Sequence, residues 1–218
     1  MYEEEKWRDV PAELANKIIE TVKETDGRYG KPTTTTRVRQ CSLPFYESTT
    51  LVRLSEPETG DDTPDVYFLL VDDELYPLDG HSIAIHEHNK KESINLTRDN
   101  VTDYIRFFGL FTTTHRGPFL VLERADDPLI SYEGDTETRE LLEKLLKPAE
   151  VTRETEEGHF ECVACLLYGY LLTLATFEVR KDGTVDIIKD QPIDGIKVTV
   201  NAPFSYMNVN WPKITDES

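Results

Sequence analysis

His159-Phe-Glu-Cys-Val-Ala-Cys-Leu-Leu-Tyr168, then Gly169, then Leu171-Leu-Thr-Leu-Ala-Thr-Phe-Glu-Val-Arg180: this stretch decides the fold class. Each half is of strand length and is dominated by aliphatic, aromatic and β-branched residues. Gly169 permits a turn between them. Lys181-Asp182-Gly183 follows, a hairpin signal in which Gly183 is free to take positive φ, and Thr184 to Lys189 returns. Upstream, Glu150 to Glu154 leads through Glu156-Glu157-Gly158 into His159. The pattern predicts an antiparallel meander of about four strands.

The same reading extends toward the N-terminus. Arg37 to Leu43, Thr50 to Ser55 and Asp65 to Val71 read as strands, and Asp72-Asp73 turns the last of these back into Glu74 to Leu78. Phe119 to Glu123 is a further strand. Helical spacing appears in three places. Leu14, Ile18, Ile19 and Val22 share one face behind Asp9, a candidate cap, and Pro11. Val101, Tyr104, Ile105, Phe108 and Phe111 form a broad stripe in a helix starting near Thr97. Phe107 falls off that stripe and is expected to be exposed or to face a partner. Leu141, Leu142, Leu145 and Leu146 mark a third helix from Thr136 to Lys147. Helices and strands do not alternate, so the expected class is α+β: antiparallel sheet with about three helices packed against it. One domain over residues 1–218 is expected, with a possible division near 125–136. The tail 208–218 is expected to be partly flexible.

Charge bounds the partners. Against 24 basic side chains stand 42 acidic ones, a net charge of −18. A field of that sign repels phosphate backbones and anionic membrane surfaces, so neither nucleic acid nor membrane is an expected partner. Between Glu56 and Asp79 there is no lysine or arginine, which predicts the most negative face of the surface. No run approaches the roughly 18 apolar residues of a membrane span. The acidic start, Glu3-Glu4-Glu5, is unlike a signal peptide, and a soluble cytoplasmic protein is expected. Cys41, Cys162 and Cys165 are too few, and odd in number, for a disulfide framework.

The densest chemical signal lies in Gly80-His-Ser-Ile-Ala-Ile-His-Glu-His-Asn-Lys-Lys-Glu92, which holds three of the five histidines. Read plainly, these are exposed histidines of a strand end and loop. Read as a ligand set, His86 and His88 point the same way from an extended strand, and Glu92 adds a carboxylate. Imidazole with carboxylate suits a divalent transition metal such as iron, manganese or zinc.

The spacing Gly-x5-His-x-His-x3-Glu resembles the first motif of the cupin family, small β-barrels of which many bind a metal. The resemblance implies His86, His88 and Glu92 as metal ligands. It covers these thirteen residues. Beyond them Asp99 stands where the pattern asks for glycine, and His115 sits in Thr-Thr-Thr-His-Arg-Gly-Pro, unlike the family's second motif.

Elsewhere the chemistry is thin. Cys162 and Cys165 have a metal or redox spacing, yet in a strand they face opposite sides and act as small hydrophobes. Asp72, Asp73 and Glu74 read as a solvated hairpin tip. There is no nucleophile elbow and no phosphate-cradling glycine loop. The expectation is a non-catalytic interaction or binding module without cofactor, with a protein partner or self-association through the meander's edge strands or Phe107. The alternative is a cupin-like, metal-dependent enzyme acting on a small molecule through His86, His88 and Glu92.

Overall fold

A computed structural model describes residues 4–25, 31–56, 65–114, 117–127, 129–132, 136–169, 171–196 and 198–200. The expected tail at 208–218, His115 and residues 57–64 of the acidic stretch lie outside the described residues.

The N-terminal half builds a five-stranded antiparallel sheet in chain order: β1 (Arg8–Asp9), β2 (Arg37–Ser42), β3 (Thr50–Ser55), β4 (Val66–Val71) and β5 (Glu74–Pro77). The strand period of two sorts its side chains. Val38, Val52, Leu54, Phe68 and Leu70 meet Ile18 and Val22 of helix α1 (Ala12–Lys23). Cys41, Leu51, Tyr67 and Leu69 point into the larger core on the other side. Burial on both faces explains the unbroken apolar run of β4. Asp72 and Asp73 take φ of 48° and 64°, the signature of a two-residue I′ turn, and so close the β4–β5 hairpin. Asp9 does not cap α1 as expected. Pro11 holds the cap position, while the Asp9 carboxylate accepts from Arg37 at 2.9 Å.

The C-terminal half builds a second antiparallel sheet. Its order is β12 (Val185–Pro192), β11 (Leu171–Val179), β10 (Phe160–Tyr168), β7 (Gly117–Leu122) and β6 (Thr113–Thr114), and β9 (Glu150–Glu154) also pairs with β10. The expected meander is present as β9 to β12. A separate pair joins β8 (Ile130–Tyr132) to β13 (Val198–Val200).

Between the two sheets lies α3 (Val101–Leu110). On one side Phe107 packs on Phe45 at 5.3 Å and Phe111 on Tyr67 at 5.1 Å. On the other, Phe108 meets Phe119, which meets Phe177 across the second sheet at 6.0 Å. A helix clamped on both sides needs two apolar stripes. Phe107 is therefore fully buried, and the expectation that it faces solvent or a partner is corrected. Gly109 lets the β7 backbone approach: a Cβ there would stand 2.7 Å from the Phe119 carbonyl oxygen.

The far face of the second sheet is also covered. Leu120, Leu122, Cys165, Leu167 and Leu172 are buried in one core with Leu142 and Leu146, from and just after α4 (Thr136–Leu145), and with Ile130 and Val198. The layers run helix, sheet, helix, sheet, then helix with the small strand pair. The class is α+β, as read from the sequence. Four α-helices are present where about three were expected, and the additional one, α2 (Ser82–Lys91), is the histidine segment. No helix among the described residues is long and apolar enough to cross a membrane.

Candidate functional site

The histidine segment is not a strand. Gly80 takes φ of 87° and Asp79 Oδ1 accepts the His81 amide at 3.1 Å, so the chain leaves β5 and enters α2 at Ser82. The reading of exposed strand-end and loop histidines is corrected for His86 and His88 but holds for His81, which is exposed before the helix, and the extended geometry behind the ligand set is corrected. At 3.6 residues per turn, positions two apart point to nearly opposite faces, while positions four apart stack. The structure brings His88 and Glu92 together, Nε2 to Oε2 at 3.6 Å, and sends His86 elsewhere. Among the described residues no three His, Cys, Asp or Glu side chains gather to hold an ion.

His86, His88, Asn89 and Lys91 of α2 reach side chains on other elements. His86 lies against the Phe108 ring at 5.7 Å, facing Asp182 and Asp186 around the β11–β12 turn. Burial lowers its pKa, and the Asp182 charge opposes that shift. Asn89 accepts from the Tyr46 hydroxyl and donates to the Asp182 carbonyl and the Tyr104 hydroxyl, both at 3.1 Å. Tyr104 in turn donates to the Gly183 carbonyl. Through Asn89 alone, α2 joins the loop after β2, the central helix and the second sheet. Burial pushes the Tyr46 and Tyr104 hydroxyls well above the ordinary phenol range, so both remain protonated donors.

His88 is buried, with the rings of Tyr46 and Tyr76 each at 5.1 Å. Its Nε2 stands 2.7 Å from Thr49 Oγ1. The Thr49 hydroxyl donates to Glu92, and that carboxylate also accepts the Ser48 amide at 2.7 Å. Since the Thr49 proton is committed to Glu92, Nε2 must carry the imidazole proton and donate. Nδ1 is then a bare lone pair, buried and without a partner. Burial holds the His88 pKa below its ordinary value, and the Glu92 charge only partly offsets this. Burial works against the Glu92 carboxylate too, but hydrogen bonds from Thr49 and Ser48 and the proximity of His88 keep its pKa low. The trio fastens the end of α2 to the connection between β2 and β3.

Beside it opens a cleft of about 260 Å³ lined by Ser48, Val71, Asp72, Glu74, Tyr76, Lys91 and Glu92. Asp72 and Glu74 belong to the acidic hairpin expected from sequence, and Glu92 comes from the end of α2. Lys91 lies over the Tyr76 ring, 4.4 Å from its centroid, and donates to its hydroxyl at 3.1 Å. The cleft thus answers its carboxylates with one ammonium group already engaged by an aromatic wall.

Cys162 and Cys165 are both buried free thiols on opposite faces of β10. Burial raises Cys162 to about 12 and Cys165 to about 11.

Another exposed feature is the outer edge of the second sheet. Six large hydrophobic residues are exposed among the described residues, and four of them, Leu171, Leu174, Ile187 and Ile188, lie on β11 and β12. The meander's edge strands are the interaction edge expected from sequence, but no local pattern singles out these residues. Alternation in β12 is weak, and only its terminal place in the sheet makes its isoleucines conspicuous. No family model, curated protein or solved structure matches this chain.

Proposed function

We propose that this protein is a binding module that takes a protein strand along the β12 edge of its second sheet. The observation that carries this is the edge itself. β12 is eight residues long, pairs only with β11 among the described residues, and is exposed over most of its length. Such an edge offers a row of amides and carbonyls for strand addition, with side chains alternating to supply selectivity. Leu171, Leu174, Ile187 and Ile188 add exposed apolar area along β11 and β12. Two further features support binding over catalysis. His88, Asn89 and Glu92 are committed to holding elements together, and the buried cysteines are raised far from the thiolate form. A net charge of −18 favours a protein partner over a nucleic acid.

Site-specific photocrosslinking tests this. A photoreactive residue at position 188 is compared with one at Glu13, exposed on α1. The expected result is a discrete protein adduct from position 188 that disappears when Leu174→Lys is added. Equal labelling from both positions, or an adduct insensitive to Leu174→Lys, overturns the reading.

A further inference from the structure

We propose that the strand received at this edge is β12 of a second copy of the chain, in antiparallel two-fold pairing centred between Ile187 and Ile188. The inference rests on the edge-docking reading and deepens it by naming the occupant.

The β11–β12 ladder contains a one-residue irregularity. Phe177 faces Ile187, but Thr176 faces Lys189, so Ile188 is the extra residue of a bulge. This matters for symmetry. In a regular edge strand the outward-pointing backbone groups all fall on residues of one parity. Two copies of such a strand pair in phase only about an axis that runs through a residue. For β12 an axis through Ile188 would set Asp186 against Asp190, a like-charge contact. The extra residue reverses the parity beyond Ile188. Segments on either side of the bulge are then in phase about an axis between residues 187 and 188.

That register is also chemically self-complementary. It sets Asp186 of each copy opposite Lys189 of the other, Val185 opposite Asp190, and Ile187 opposite Ile188. Opposite charges directly across a ladder stabilise it, and the two-fold makes the Asp–Lys contact twice. Within the sheet Asp186 faces Glu178 and Lys189 faces Thr176, positions on the same face of β11 as Leu174. An axis perpendicular to the sheet keeps that face on one side, so both ion pairs form there. Ile187 and Ile188, exposed at 39% and 52%, come together at the axis.

Bulges and charges on an edge also serve to discourage pairing. Here the bulge puts a regular foreign strand out of phase across Ile188 but restores phase for an identical bulged one, and the charges answer one another in the same register. The overall charge does not forbid association. At physiological ionic strength, charges farther than about 8 Å from the contact are largely screened, so the local pairs decide.

Sedimentation velocity over a broad range of concentration, on the full chain, is the test. Wild type is expected to show a monomer–dimer equilibrium. Lys189→Asp places acid against acid twice and should weaken the dimer by about tenfold or more. The exchange Asp186→Lys with Lys189→Asp should restore it. Thermal midpoints taken at a concentration where all three are monomeric separate association from folding, with a lower value expected for the double exchange because Asp186 also pairs with Arg180 at 2.9 Å. In parallel, Ile188→Cys should give a disulfide-linked dimer under oxidation, while the three native thiols stay buried. A wild-type chain that is monomeric throughout overturns the self-pairing, and photocrosslinking from position 188 still judges strand docking by itself. A dimer indifferent to Lys189→Asp, or a double exchange that fails to restore a dimer lost in Lys189→Asp, overturns the register.

Discussion

The Tyr104 hydroxyl donates to the Gly183 carbonyl at 2.6 Å, tying the central helix to the β11–β12 turn. The same hydroxyl accepts from Asn89, so one buried oxygen serves the helix, the turn and α2 at once. Tyr104→Phe keeps the ring packing and strands two partners. Leaving buried groups unsatisfied costs about 1–3 kcal/mol, and urea unfolding should show a loss in that range. Gly183→Ala should cost more. Gly183 has φ of +82°, and an added Cβ would stand 2.2 Å from Asn89 Nδ2 and 2.5 Å from the Tyr104 oxygen. A Tyr104→Phe protein as stable as wild type would show that this junction does not hold the two sheets.

Stability should fall as pH drops below neutrality, and His88 should carry part of the slope. Burial keeps His88 neutral in the fold, whereas in the unfolded chain it titrates near 6.5. Below that value the unfolded state binds the proton and the folded state does not, so protonation favours unfolding. The contribution is complete above about pH 6.5 and declines as pH falls, until the folded imidazole also protonates. His86 is shifted the same way and adds to the effect. Glu92 acts in a lower window. Its folded pKa is depressed, so its contribution is complete above its ordinary 4.5 and is lost as pH falls through the folded value. Urea midpoints at about pH 7.5 and about pH 5.5 check the first window. His88→Gln retains a donor toward Thr49 and should show a shallower slope than wild type. Equal slopes would mean that His88 binds its proton as readily in the fold as in the unfolded chain.

The legible parts of this molecule are those whose ends are marked by turn residues and whose lengths suit strands. The hairpin at Asp72-Asp73, the strand Thr50 to Ser55 and the meander from Glu150 onward stand where residue periodicity places them. What was not legible lay in two helices that lack a single apolar stripe. The central helix needs apolar residues almost all round, so a single stripe misplaced Phe107. Helix α2 has no clear apolar face, because His88 is buried and Asn89 and Glu92 bond to other elements, while Ile83 is 65% exposed. Without a stripe, His86 and His88 looked like alternating strand residues. Their partners, Thr49, Tyr104 and Gly183, are distant in sequence, and no local pattern announces them.

Gly109→Ala should be destabilising even though alanine is the better helix former. Intrinsic propensity favours alanine by about 1 kcal/mol. The added methyl would stand 2.7 Å from the Phe119 carbonyl oxygen, a backbone atom held in the β7–β10 ladder. Backbone cannot swing aside as a side chain does, so α3 must move away from the second sheet. Overpacking of this kind costs about 1–3 kcal/mol, enough to outweigh the propensity gain. Thermal unfolding decides between the two effects. A higher midpoint for Gly109→Ala would show that the helix and β7 are less tightly opposed than described.

The three thiols should be silent in the folded protein. Cys41, Cys162 and Cys165 are buried, and burial pushes Cys41 and Cys162 to about 12 and Cys165 to about 11. The nucleophile toward a disulfide reagent is the thiolate, so these groups lack both access and reactive form near neutral pH. Labelling should therefore require opening of the fold. Cys162 sits on the face of β10 toward α3, and Cys165 on the opposite face, in the core that includes Leu142 and Leu146. Two different layers must separate before both react. With an aromatic disulfide reagent, the native chain is expected to release almost no chromophore, and the denatured chain one equivalent per cysteine. Added urea below the unfolding midpoint should speed labelling in proportion to the unfolded population. Prompt reaction of any one thiol without denaturant would mean that the layer covering it opens independently of the rest.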